Sequence, residues 1–158
     1  MTSLRQTAPI IVVAGLVAGT IDIGAACVIN SAHPVVILHA IASGLIGKSA
    51  RSGGMSSAAL GLALQWAMSI LIAAIYMGVT AARPAWRRRW VSTGILAGIV
   101  IFAVMSYLVV PLSAAPFRPP LTVHGLLTAF STAKLLANLL AMVLFGLIIG
   151  YCARGRGT

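Results

Sequence analysis

Asp22 is the residue of this sequence whose type and position most directly raise a question of chemistry. It is the only acidic residue among 158, in a chain with eleven Lys and Arg, and it lies inside the apolar stretch from Ile10 to Ile29. A charged side chain at the centre of a membrane-spanning helix costs about 2.5–3.5 kcal/mol on insertion scales, so such residues usually face a partner or water. The sequence therefore predicts that Asp22 points into a helical bundle.

Three further polar side chains are expected at a similar depth. With a rise of about 1.5 Å per residue, Asp22 and Asn138 each lie roughly 10 Å below the outer end of their spans, and Gln65 lies roughly 12–15 Å below the outer end of its own. Lys134 is one turn above Asn138 on the same helical face. We expect Asp22, Gln65, Lys134 and Asn138 to form a polar cluster in the outer half of the bundle.

This predicted cluster has three interpretations. It can be a structural network that fixes helix register, an outward-facing polar pocket or proton-titrating site, or a set in which Asp22 instead faces lipid or an oligomeric partner. The partner of Asp22 decides its charge, because Lys134 would favour the ionised carboxylate. The amides of Gln65 and Asn138 would instead suit a neutral acid that both donates and accepts.

Enzymatic and cofactor chemistry find little support in the sequence. A single acid excludes paired-carboxylate catalysis. The stretch "GLIGKS" from Gly44 to Ser49 has Ala42 where a phosphate-binding loop needs an earlier glycine. Haem ligation needs histidines at facing depths, and His33, His39 and His124 lie in or near outer segments. We predict no enzyme, no catalytic, cofactor-binding or metal-binding residues, and no cofactor.

The elements that must position the cluster are membrane spans. Sixty per cent of the residues are hydrophobic and 8% are charged, whereas soluble domains carry about a quarter charged residues. Several apolar runs reach the roughly 20 residues that a helix needs to cross a bilayer. We expect an all-α membrane protein, a single transmembrane helical-bundle domain over residues 1–158. Its four spans are predicted at about 9–29, 57–79, 91–110 (stopped by Pro111) and 131–151.

A fifth apolar segment is too short to be a span. Its apolar part runs from Val35 to Gly47, whereas a crossing helix needs about 20 residues. Pro34 suits the first turn of a helix, which we place at about residues 34–47. The sequence predicts an interfacial or re-entrant helix on the outer face.

The basic residues set the predicted orientation. The loop "RPAWRRRW" carries the chain's densest group of arginines, with Trp86 and Trp90 suited to the headgroup zone. Placing this loop in the cytoplasm also places both termini there, and the outer loops then carry fewer basic residues. The formal net charge of +10 is assigned to anionic lipid headgroups at the cytoplasmic face rather than to nucleic acid. The arginines with this headgroup or topology role are Arg83, Arg87, Arg88 and Arg89.

Small residues predict close helix packing. Gly15 and Gly19 form G-x-x-x-G on the face that carries Asp22, a spacing that lets helices approach closely in lipid. The stretch "GLVAG" at Gly15 matches "GILAG" at Gly94, which ends at Gly98. This match hints at two helix pairs in parallel orientation, related by an axis along the membrane normal.

Four stretches together resemble an uncharacterised family of small bacterial inner-membrane proteins. They are "GLVAGTIDIGAA", "IASGLIGKSA", "GLALQWAMSILIAAIY" and "VVPLSAAPFRP", and they cover most of the chain in order. The resemblance implies four spans and a multi-pass location in a bacterial inner (plasma) membrane. It implies no established activity, so it assigns no catalytic residues.

Two classes of function follow as expectations. The first is binding or transport of a small solute or lipid through the outer-half polar cluster around Asp22. The alternative is a non-catalytic structural or accessory subunit of a membrane protein complex, with a second copy or another membrane protein as partner. The substrate, the partner and the oligomeric state are not specified by the sequence.

Overall fold

Long apolar helices dominate the structure, a computed structural model that describes residues 4–114 and 132–155. Within these residues every regular element is helical. Four helices are long and apolar enough to cross a membrane, which confirms the expected all-α, multi-pass class. His124 and residue 131, the expected start of the fourth span, lie outside the described part, together with most of the proline-rich segment that follows Pro111.

The helices extend slightly beyond most of the expected spans, because a helix can continue into the headgroup zone beyond the hydrocarbon core. They are α1 (Leu4–Asn30), α2 (Pro34–Ile46), α3 (Gly54–Ala81), α4 (Pro84–Arg88), α5 (Trp90–Val104), α6 (Val110–Leu112) and α7 (Thr132–Arg154), with a 3₁₀ turn at Gly47–Arg51 and a π turn at Met105–Val109.

The third span, Trp90–Leu112, passes through Pro111 instead of stopping before it. The N–H of Val110 donates to the carbonyl of Met105, five residues earlier, and the helix ends at Leu112. A π turn changes the hydrogen-bond register within a helix. Pro111, which has no backbone N–H, therefore follows a turn in which the regular helical hydrogen bonds are already interrupted. The helix was expected to stop before this proline, but it continues through Pro111 and ends at Leu112.

Helices α1 and α3 form an antiparallel pair. Asp22 bonds to Gln65, whereas Gly15, lower on α1, packs against Ile70. A Cβ added at Gly15 would lie 2.6 Å from the Cα of Ile70. Residue numbers therefore fall along α1 as they rise along α3, which places Asn30 and Gly54 at the same end of the bundle.

Helices α5 and α7 form a second antiparallel pair, again through glycine. Gly94 faces Gly146, and Gly98 faces the carbonyl of Met142. A Cβ at Gly94 would lie 2.9 Å from the carbonyl oxygen of Gly146. The G-x-x-x-G motifs of α1 and α5 thus each pack against the next span along the chain, so the matching "GLVAG" and "GILAG" stretches occupy equivalent positions in the two pairs.

The two pairs meet where α1 packs against α7, which gives the order α3, α1, α7, α5. Small residues of α1 lie against larger side chains of its neighbours at this junction. The third span is the least enclosed, since only 6% of its most apolar window is buried within the chain. The buried apolar core consists of Ala14, Ala18, Ala73, Tyr76, Met77, Phe145, Ile149 and Ala153.

The short helix α2 begins and ends at one end of the bundle. Because α1 and α3 are antiparallel, the segment that joins them cannot cross to the other end. His39 Nε2 lies 2.8 Å from the carbonyl oxygen of Gly54, and Ala114 N–H donates to the carbonyl of Gly44 at 2.9 Å. Helix α2 is thereby tied to the start of α3 and to the end of the third span.

Candidate functional site

A hydrogen bond between side chains joins α1 to α3 in the half of the bundle nearest α2. Gln65 Nε2 donates to Asp22 Oδ2 at 2.8 Å. Gln65 is 9% exposed, and Asp22 is half-buried. Asp22 shares the inward face of α1 with Ala18 and Gly19, as its helical spacing predicts. The single carboxylate of the sequence is therefore placed against an amide rather than against lipid alone.

The close approach of α1 and α3 brings a short carboxylate side chain within reach of Gln65. A Cβ at Gly19 would lie 2.5 Å from Ser69 Oγ, so a larger residue would push the helices apart. Ser69 Oγ donates to the carbonyl of Gln65 at 2.7 Å, which satisfies the serine hydroxyl within its own helix. The glycine thus sets the helix separation on which the Asp22–Gln65 bond depends.

A second polar contact follows the same helix interface. Trp66 Nε1 donates to Thr20 Oγ1 at 3.2 Å, and Thr20 Oγ1 donates to the carbonyl of Leu16 at 2.7 Å. This contact was not expected from the sequence. The sequence positions nevertheless fit this contact. Thr20 stands two residues before Asp22 and Trp66 directly follows Gln65, and residue numbers run in opposite directions along an antiparallel pair.

The exposed surface of α1 beside this contact forms a shallow groove rather than an enclosed cavity. Its volume is about 300 Å³. Thr20 contributes the one polar side chain to an otherwise aliphatic lining. Leu16, Val17 and Ile21 complete that lining, so this surface suits an apolar chain better than a polar solute.

The other two residues of the expected cluster lie on α7 and do not bond to Asp22. Lys134 is exposed and Asn138 is half-buried. In the part of the chain that the structure describes, no ion pair joins Lys134 to Asp22, and no hydrogen bond joins Asn138 to Asp22 or Gln65. Asn138 does lie two turns before Phe145 on the face of α7 that packs into the core. The structure therefore brings two of the four residues together.

The basic loop forms a short helix with aromatic contacts. The guanidinium carbon of Arg83 lies 4.9 Å from the centre of the Trp86 ring. Arg88 and Arg89 are exposed, and Arg87 is half-buried. Exposed guanidiniums beside tryptophan at the end of two spans suit the membrane–water interface.

A contact that sequence patterns did not indicate joins the C-terminal end of α7 to the start of α5. Arg154 lies 4.1 Å from the centre of the Tyr151 ring and 5.4 Å from that of Trp90. The rings of Trp90 and Tyr151 meet edge to face at 5.6 Å. Spacing along one helix does not reveal which neighbouring helix supplies the second ring, so the sequence alone could not indicate this contact.

Among residues 4–114 and 132–155, no three His, Cys, Asp or Glu side chains come close enough to hold a metal ion. Comparison with family models, curated proteins and solved structures finds no match for this chain. The resemblance to a bacterial inner-membrane family therefore stays a prediction, and function must be inferred from the site itself.

Proposed function

We propose that the protein binds or transports a small solute or lipid headgroup at Asp22 and Gln65. The observation that supports this most strongly is the 2.8 Å bond from Gln65 Nε2 to Asp22 Oδ2. That bond engages one carboxylate oxygen, while no described residue bonds to Oδ1. A half-buried carboxylate that keeps an accepting oxygen can hold a further donor.

The chemistry of the site selects the class of ligand. Asp22 when ionised and the side-chain oxygen of Gln65 are both acceptors, so the ligand should carry N–H or O–H donors. Hydrogen bonds to a charged group are stronger in a medium of low dielectric than in water. Asn138, on the inward face of α7, would supply an additional amide if the ligand spans from α1 to α7.

The proposed location is a bacterial inner membrane with both termini in the cytoplasm. The arginines of the α3–α5 connection and Arg154 of α7 lie at the same end of the bundle, as the positive-inside rule requires of a cytoplasmic end. The opposite end then faces outward and carries α2. The bonds that join α2 to the backbone of Gly54 and of Ala114 favour an interfacial or re-entrant placement on that outer face.

Native mass spectrometry of the protein extracted in mild detergent tests the binding proposal. The expected result is a retained small molecule or lipid in wild type that is depleted about tenfold in Asp22→Asn, the loss expected for one charge-assisted hydrogen bond. Thr20→Val is the matched control, because it removes the neighbouring polar contact of the same helix interface without changing Asp22. Equal retention in wild type and Asp22→Asn would remove Asp22 from the binding site.

The alternative function, a structural or accessory subunit, is favoured by the third span. Only 6% of its most apolar window is buried within the chain, and Leu96 and Val100 are 54% and 51% exposed. A second membrane protein could pack on this face. A pull-down in mild detergent separates the two functions, since a stoichiometric protein partner favours a subunit and a retained small ligand favours binding or transport.

A further inference from the structure

A cluster of arginines and aromatic rings, which we call the basic–aromatic patch, covers one end of the bundle. It consists of Arg83 and Trp86 from the α3–α4 region, Trp90 at the start of α5, and Tyr151 and Arg154 at the end of α7. Helix α4 contacts both α5 and α7, so these residues share one surface. Tyr151 and Arg154 are both exposed.

No acidic side chain of this sequence is available to the patch. Asp22 is the only one, and it bonds to Gln65 on α3. Gln65 lies 16 residues before Ala81, the end of α3, which corresponds to about 24 Å of helix. No side chain of this sequence therefore supplies a counter-charge to the guanidinium of Arg154.

The rings hold Arg154 in a geometry that suits phosphate. The guanidinium carbon of Arg154 lies 4.1 Å from the centre of the Tyr151 ring, which restricts its position, while the side chain stays exposed. The planar fork of a guanidinium binds two phosphate oxygens at once, which an ammonium group cannot do. Tyr151 and Trp90 also place the site at the depth of lipid headgroups, where both ring types are enriched.

An apolar stripe leads from the guanidinium along α7 toward the middle of the membrane. Leu140, Leu144, Leu147, Tyr151 and Arg154 recur at alternating spacings of four and three residues, so they occupy one face of the helix. Leu140 is 59% exposed and Leu144 is 46% exposed. Leu147 is half-buried, so a stripe that ends in a phosphate-binding group matches a phospholipid whose acyl chain lies along Leu140 and Leu144.

We propose that the basic–aromatic patch is a binding site for one anionic phospholipid, with the lipid phosphate on Arg154 and an acyl chain on the Leu140–Leu144 stripe. This site is at the opposite end of the bundle from Asp22 and does not depend on ligand binding there. The stacked rings distinguish it from general attraction of basic loops to the membrane, because they fix one arginine in place.

The test measures thermal unfolding and lipid retention of the purified full chain in mild detergent. Phosphatidylglycerol, phosphatidylcholine and inorganic phosphate are added separately to wild type, Arg154→Gln, Arg154→Lys and Arg88→Gln. Arg88→Gln is the matched control, since it removes the same charge from an exposed arginine that stacks on no described ring. Arg154→Lys keeps the charge but loses the planar fork.

Phosphatidylglycerol is expected to raise the midpoint of unfolding and to be retained by wild type and Arg88→Gln. Its affinity should fall about tenfold in Arg154→Gln, the loss of one charge-assisted contact, and by an intermediate factor in Arg154→Lys. If Arg154→Gln does not fold, the comparison of Arg154→Lys with Arg88→Gln decides the question.

Four results would overturn the proposal. An effect of phosphatidylcholine equal to that of phosphatidylglycerol would remove the need for an anionic lipid. Inorganic phosphate producing the full effect would assign the site to free phosphate. Equal losses in Arg88→Gln and Arg154→Gln would mean diffuse charge rather than a site. An acidic protein that copurifies with wild type but not with Arg154→Gln would assign the patch to a protein partner.

Discussion

Asp22 and its partner Gln65 are 43 positions apart in the sequence. Their side chains come within hydrogen-bond distance because Gly19 lets α1 and α3 approach closely. The bond satisfies the amide of Gln65, a side chain that is 9% exposed. A buried donor that loses its partner costs about 1–3 kcal/mol. At the scale of single residues, removal of this bond should therefore lower the stability of the fold.

Asp22→Leu is expected to lower the free energy of unfolding by about 1–3 kcal/mol, because it leaves Gln65 Nε2 without an acceptor. Thermal unfolding in detergent measures the loss. In the double variant Asp22→Leu/Gln65→Leu both polar partners are replaced, so the two single losses should not add. A midpoint for Asp22→Leu that equals wild type would show that the bond does not stabilise the fold.

Lys134 should be energetically independent of Asp22. No ion pair joins them among the described residues, and Lys134 is exposed at the start of α7, where a long side chain can extend toward the headgroups. In a cycle of Asp22→Asn, Lys134→Met and the double variant, we expect additivity within about 0.3–0.5 kcal/mol. A larger coupling energy would instead indicate an ion pair between the two residues, one of the alternatives that the sequence left open.

At the scale of elements, glycine contacts set which helices pair. Gly61 of α3 faces the carbonyl of Leu38 on α2, and Gly146 of α7 faces the carbonyl of Gly94 on α5. Without a hydrophobic driving force between helices in lipid, association depends on close packing. The pairing of α2 with α3 and of α5 with α7 therefore follows the positions of the small residues, as the contacts of Gly15 and Gly19 do for α1 with α3.

Gly98→Ala is expected to destabilise the α5–α7 pair, because its Cβ would lie 2.5 Å from the Cα of Val143. A backbone atom cannot move aside as a side chain can, so the cost should be about 1–3 kcal/mol, as for other overpacked sites. Thermal unfolding provides the measurement. Gly78→Ala is the matched control, since nothing lies within 4 Å of its added Cβ. Equal effects at both positions would contradict the packing role of Gly98.

At the scale of the whole molecule, the two antiparallel pairs place Asn30 and Gly54 at one end, and the arginine-rich α4 and Arg154 at the other. The chain's densest group of arginines therefore lies at the end of the bundle opposite α2. The Asp22–Gln65 bond lies instead in the half of the bundle nearest α2. The basic–aromatic patch marks the opposite surface.

Cysteine labelling tests the orientation of the whole bundle. In a background with Cys27 and Cys152 replaced by alanine, a cysteine at Ala85 should react only with a reagent on the cytoplasmic side. A cysteine at Ser52 should react only from the outer side, because α2 returns to the end at which it began. Both positions are exposed, so accessibility within the fold does not limit either reaction. Labelling of both positions from the same side would overturn the four-span topology.

The sequence alone determined the class of this protein and the number of its spans, because burial of apolar side chains in lipid depends on composition and length rather than on partners. It also indicated that α2 is too short to cross, and that Asp22 and Gln65 lie at related depths. Each of these features depends on the composition and length of one segment, so no tertiary contact is needed to establish them.

The tertiary structure decided which polar residues meet. Depth placed four residues in one layer, but the rotation of each helix is set by contacts such as Gly19 against Ser69. Those contacts direct Asp22 toward Gln65, and no bond to Asn138 or Lys134 accompanies it. The stacking of Arg154 on Trp90 likewise depends on how α5 and α7 are paired. Helix pairing in lipid is a property of two surfaces together, so neither sequence segment could specify it alone.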